Sequence, residues 1–232
     1  MNGLIKMYCY RLFRQPGLYI IWAIIAVMML VDSMLVEEKT VSTILTETGS
    51  FAFLLSSVLT AVFFSADNSS GFIKNYAGSV SDKSVIAAAR AVTALIIGTL
   101  TICFTVVCAF LLTFNIGDVQ IAAVFTGCLF LTTAGTSFIA LLVSELFRKT
   151  VPVVITTIAI SSGLVCEIIG TITAMMTDSK FIFHEYCVTG MFKIYGNTLE
   201  QADAVRLVIV SAIYIAVTFA ASIVSIKKRD VV

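Results

Sequence analysis

The sequence predicts an all-α membrane protein. It comprises six transmembrane helices with both termini on the cytoplasmic side and an N-terminal amphipathic helix lying along the interface. Three observations carry this reading. The 232 residues are 59% hydrophobic and only 12% charged, about half the charge of an ordinary globular chain, and so few charges cannot cover a surface in water. Six charge-poor apolar runs each reach the roughly 20 helical residues that a bilayer requires. Only two prolines occur in the chain, which favours long uninterrupted helices. The same composition excludes a disordered chain, a coiled coil and a disulfide scaffold. The apolar runs are continuous rather than alternating, which excludes a membrane β-barrel.

The elements follow in order. Residues 1–16 form the interfacial helix: Met1, Leu4, Ile5, Tyr8 and Leu12 repeat on one helix face, with Lys6, Arg11 and Arg14 as cationic groups suited to an anionic leaflet. Pro16-Gly17 ends it and turns the chain into the first span. The spans are expected at 18–36, 50–66, 91–115, 119–144, 151–177 and 205–226, with Gly117-Asp118 as the tight turn between the third and fourth. No small-residue cleavage site accompanies the first apolar run, so no signal peptide is expected.

Lys and Arg placement sets the orientation. Lys6, Arg11, Arg14, Lys74, Lys83, Arg90, Arg148, Lys149, Lys227, Lys228 and Arg229 fall on one side, against Lys39, Lys180, Lys193 and Arg206 on the other. The basic side is the cytoplasmic one. Net charge is +1, which argues against nucleic-acid binding driven by bulk charge.

Three segments outside the spans bear on function. Residues 67–90 form the long inner loop, in which Phe72, Ile73 and Tyr76 share a face of a short helix suited to dock into a partner's groove. Residues 178–204 carry Phe181, Phe183, Tyr186, Phe192 and Tyr195, too apolar for a free loop, and are expected at the interface or folded back into the protein. Thr198 with Gln201 is a capping-box pattern opening the last helix.

Catalytic patterns are missing. No GxxxxGK[ST] and no HExxH occurs, His184 is the sole histidine, and Ser161-Ser162-Gly163 lacks a GxSxG context. Glu37-Glu38 lies outside the spans without a supporting histidine. Asp32 lies near the outer end of the first span and reaches the interface. The cysteines, Cys9, Cys103, Cys108, Cys128, Cys166 and Cys187, include no CxxC pair and read as small core hydrophobes rather than a metal or disulfide framework.

Glu167 stands out, because a carboxylate deep in an apolar run is a functional hypothesis by default. Three roles are open: facing a substrate path, carrying a proton, or hydrogen-bonding across helices in neutral form. With no basic residue in the middle of any span, an ion pair is not expected, and the side chain is expected to face inward. Small residues recur every fourth position beside it, at Ser162, Cys166, Gly170 and Ala174 and at Ala159, Gly163 and Thr171, as in close helix packing.

The layout resembles the membrane-spanning permease subunits of ABC transporters of the ABC type-2 exporter class. The resemblance rests on the basic N-terminal segment ending Arg14-Gln15-Pro16, six spans with both ends inside, and Asp67-Asn68-Ser69-Ser70-Gly71-Phe72-Ile73-Lys74 after the second span. The last is similar to the family's acidic-x-x-x-Gly-apolar-apolar-Lys pattern. Val80-Ser81-Asp82-Lys83 with Ala89-Arg90 takes the place of the family's Val-Ser-Arg and basic helix start, departing from it at Asp82-Lys83. The resemblance implies a multi-pass protein of a bacterial plasma membrane without catalysis of its own. It implies a dimer with a second permease copy or a paralogue, bound to separate ATP-binding subunits that hold ATP and magnesium. Coupling to the ATPase falls to Asp67, Gly71, Phe72, Ile73, Lys74 and Tyr76 in loop 67–83, and to Glu145, Phe147 and Arg148 in loop 145–150. The implied cargo is an amphipathic peptide or hydrophobic small molecule, as in small exporters of Gram-positive bacteria, with Glu167, Gly163 and Gly170 on a translocation path or helix contact. A stand-alone secondary transporter and a non-transporting scaffold are the rival readings; inverted repeats or broken helices favour the former.

Overall fold

A computed structural model describes residues 2–35, 40–70, 83–115, 117–147, 149–176, 183–198 and 200–228. Regular structure among them is entirely helical: α1 (Asn2–Arg14), α2 (Pro16–Leu35), α3 (Val41–Ser69), α4 (Lys83–Thr113), α5 (Val119–Leu146), α6 (Thr150–Ser161), α7 (Leu164–Met176), a 3-10 turn (Phe183–Tyr186), α8 (Val188–Thr198) and α9 (Gln201–Lys228). Helices α2, α3, α4, α5 and α9 are each long and apolar enough to cross a bilayer. The pair α6 and α7 adds a sixth crossing when taken as one span, bent by 56° at its break. The chain is a multi-pass membrane protein.

Helices α3, α4 and α9 run several residues beyond the expected limits, because their ends are amphipathic rather than apolar. The 29 residues of α3 and 31 of α4, at about 1.5 Å each, exceed the roughly 30 Å hydrocarbon core. In the first turns of α3, Val41, Ile44, Leu45 and Thr48 point inward. In α4, Ile86, Ala87, Ala89 and Arg90 do so. Residues 67–69 and 83–90 are therefore helical rather than loop.

The fifth span differs more. The expected continuous helix over 151–177 is interrupted at Ser162-Gly163, where Gly163 takes φ +82°. That conformation is strained for any residue with a Cβ. Thr198 also departs from its expected role. It ends α8, and its hydroxyl donates to Asp203 Oδ2 at 2.8 Å rather than pairing with Gln201.

Helices α3 and α5 form the centre. Helix α3 packs on α5, α4, α6 and α2, and α5 packs on α9, α4, α6 and α8. Lipid gives helices no hydrophobic reason to associate, so close backbone approach and van der Waals contact hold them. A Cβ on Gly98 would lie 3.3 Å from Thr133 Cγ2, which brings α4 tight against α5. Buried hydroxyls such as Thr60, Thr93, Thr101 and Thr133 donate to the carbonyl four residues earlier, within 2.7–2.9 Å, and so remain satisfied in the apolar interior.

Segment 183–198 folds back onto the bundle, as its apolar composition predicts. Val188, Met191, Phe192 and Tyr195 are buried. Phe192 meets Phe53 and Phe125 at 5.3 and 5.4 Å, and Tyr195 stacks on Phe125 at 5.8 Å. Helix α1 likewise buries Leu4, Tyr8 and Leu12 of its predicted stripe and packs against α4 and α2. At the turn between α4 and α5, Gly117 has φ +69°, and the Asp118 carboxylate accepts from the Gln120 and Ile121 amides. This is an N-cap that satisfies two of the helix's free donors.

Candidate functional site

Two groups of polar side chains lie in different parts of the bundle. The first gathers where α3 ends, α4 begins and α5 ends. Arg11 of α1 contacts Asp67 of α3 at 2.5 Å, with Asp67 fully buried. Arg90 of α4 pairs with Glu145 of α5, both at 0% exposure. The Arg90 guanidinium also donates to the Phe64 carbonyl at 3.0 Å and to Asn68 Oδ1 at 3.3 Å, and Asn68 Nδ2 donates to the Ser144 carbonyl at 2.5 Å. Arg90 thus joins α3, α4 and α5 through one side chain.

Apolar groups close over these charges. Arg90 lies 4.7 Å from the centre of the Phe64 ring and Arg11 lies 5.5 Å from that of Phe63, in the range where a ring face attracts a cation. Tyr8 covers Phe63 and Phe64 at 6.1 and 6.0 Å. Among the described residues, two arginines and two carboxylates of this group balance in charge. A buried pair of this kind adds little over an apolar substitute, but losing one partner strands a charge at a cost of about 3–5 kcal/mol.

This arrangement revises the sequence reading of loop 67–90. Arg90, expected among the loop cations, is inside the bundle. Asp67 and Glu145, expected at the coupling surface, are buried at its base. Phe147 is 41% exposed immediately after α5. Gly71, Phe72, Ile73, Lys74, Tyr76 and Arg148 lie outside the described residues. Sequence reading missed the partnership of Arg90, Asn68 and Glu145. Its signal was an arginine inside the small-residue run Ala87–Ala94, a poor setting for a solvent-facing cation.

The second group surrounds the break between α6 and α7. Ser57 of α3 donates to Ser161 of α6 at 2.7 Å, the last residue before the break. Beyond it, Glu167 in the first turn of α7 accepts from Lys193 Nζ of α8 at 2.7 Å, with side-chain exposures of 57% and 64%. The expectation that Glu167 has no cationic partner and faces inward is therefore corrected. The folding back of α8 brings Lys193 to it from a segment expected outside the spans. Gly163 forms the break itself, and Gly170 is buried on the inner face of α7.

A cavity of about 210 Å³ lies between α3, the break and α8, lined by Ser50, Phe53, Ser161, Glu167, Thr189 and Lys193. It is smaller than the roughly 300–1,000 Å³ of drug-sized ligand sites, so it admits a side chain or small head group rather than a whole peptide. No group of three or more His, Cys, Asp or Glu among the described residues is placed to hold a metal ion. No family model matches the chain, and no curated protein is significantly similar to it.

Proposed function

We propose that the chain is the permease subunit of an ATP-driven exporter of the ABC type-2 class, moving an amphipathic peptide or hydrophobic small molecule. A separate ATP-binding subunit docks on residues 67–83 and 145–150. The observation that supports this reading is the tying together of the helix ends that flank residues 71–82. On one side Asp67 is held by Arg11 and Asn68 by Arg90. On the other, Arg90 itself is held by Glu145, two residues from exposed Phe147.

A force applied to segment 71–82 by a docked partner reaches α1, α3, α4 and α5 through these contacts. Buried ion pairs resist separation, so the helix ends move as a unit. At the other group, the bend at Ser162-Gly163 gives α7 a place to pivot, and the cavity beside Glu167 and Lys193 receives a polar part of the cargo. The test is affinity purification of the tagged chain from its native membrane. A P-loop protein copurifies with the wild type and is lost with F72S/I73S/Y76S; its presence in neither sample contradicts the reading.

One observation favours a second reading. A span broken part-way is a feature of secondary transporters. In that case uptake or export follows an ion gradient without ATP, and the triple variant is indistinguishable from wild type.

A further inference from the structure

Two of the six cysteines, scattered in sequence, meet in the fold. Cys166 lies in the first turn of α7, and Cys187 lies between the 3-10 turn and α8. Each thiol lies near enough to the other to perturb its ionisation, and the Tyr214 hydroxyl of α9 acts on Cys187 in the same way. Both thiols line a second cavity of about 300 Å³, together with Thr189 and Tyr214. Cys166 and Thr189 also line the smaller cavity that holds Glu167. Cys166 and Thr189 thus belong to the wall between the two cavities, and Cys187 faces the larger one beside them.

The position has mechanical consequences. Helix α7 has few anchors: Cys166 and Gly170 are its buried residues, and it packs chiefly on the 3-10 turn and α6. With Gly163 as a bend at its start, α7 is the most loosely held part of the sixth crossing.

We propose that Cys166 and Cys187 are a thiol–disulfide site, at which oxidation ties α7 to the start of α8 and fixes the wall between the cavities. The oxidant is a disulfide of the surrounding medium. The Cys187 sulfur, half-buried and therefore the more accessible of the two, attacks one sulfur of that disulfide. The donor S–S bond breaks, a mixed disulfide forms, and the departing donor sulfur takes up the Cys187 proton. The Cys166 sulfur then attacks the Cys187 sulfur, the protein S–S bond forms, and the second donor sulfur leaves with the Cys166 proton. Two protein thiols are oxidised and one donor disulfide is reduced to two thiols. The orientation expected from lysine and arginine placement puts both cysteines in the outward half, where disulfides persist.

The test uses the full chain purified in detergent, reduced, freed of reductant and incubated with oxidised glutathione. Remaining thiols are then alkylated and the chain digested for mass spectrometry. The expected result is a cross-linked peptide joining Cys166 to Cys187, with exposed Cys103 still alkylated or carrying glutathione. In Cys166→Ser the reaction stops at glutathione on Cys187. Full alkylation of both cysteines in the wild type, cross-links confined to other pairs, or no glutathione on Cys187 in Cys166→Ser overturns the proposal.

Discussion

Arg90→Ala is the most informative perturbation of the bundle. Its guanidinium is fully buried, pairs with the equally buried Glu145, and donates to the Phe64 carbonyl and to Asn68. The truncation takes from the buried Glu145 carboxylate the guanidinium that pairs with it. Removing one member of a buried pair destabilises a protein by about 3–5 kcal/mol. The Phe64 carbonyl is already engaged within α3, so its lost bond adds little. Glu145→Ala removes the other member of the pair and falls in the same range. The double variant R90M/E145L replaces both charges with apolar groups of similar volume and recovers most of the loss, because such exchanges are often neutral or stabilising. Unfolding equilibria of the chain in bicelles or detergent, measured for both single variants and the double one, form the cycle. A loss below about 1 kcal/mol in Arg90→Ala is what an exposed pair gives, and it refutes the buried network.

Other outcomes are as follows. Under the proposed permease role, replacing Phe72, Ile73 and Tyr76 by Ser leaves the chain folded and weakens binding of the proposed ATP-binding partner by about 2 kcal/mol or more per hot-spot residue, read by calorimetry. Gly163→Ala forces a Cβ into a left-handed backbone at a cost of about 1–2 kcal/mol, measured as a lowered unfolding midpoint, whereas Gly127→Ala, open on all sides and within α5, leaves it unchanged or raised. Glu167→Gln and Lys193→Gln each lower the unfolding midpoint less than Arg90→Ala does, because their pair is half-exposed where Arg90 and Glu145 are fully buried. A cargo-binding role abolishes transport in Glu167→Gln with the complex intact, and unaltered transport in both variants removes the pair from the path.

The spans were legible because lipid-facing runs carry almost no charge, and the turn at Gly117-Asp118 was legible from its residue types. The buried charges were not. Window hydropathy treats Asp67, Arg90 and Glu145 as loop residues, since nothing local says that three helix ends converge and neutralise one another. Ser162-Gly163 was invisible as a break because isolated small residues are common in membrane helices, and only the surrounding packing decides whether the chain bends there. Lys193 lies 26 residues from Glu167, in a segment whose apolar residues announced that it folds back without announcing where its lysine would point. Segment 71–82, the stretch on which the resemblance chiefly rests, lies outside the described residues.

ATP hydrolysis by the chain purified alone, and by the complex isolated from its native membrane, tests the proposed permease role most directly. The proposal predicts no hydrolysis by the isolated chain, which lacks a P-loop. It predicts hydrolysis by the complex that falls to background in F72S/I73S/Y76S. Hydrolysis by the chain alone, or a transport-competent preparation with no ATPase activity, contradicts it.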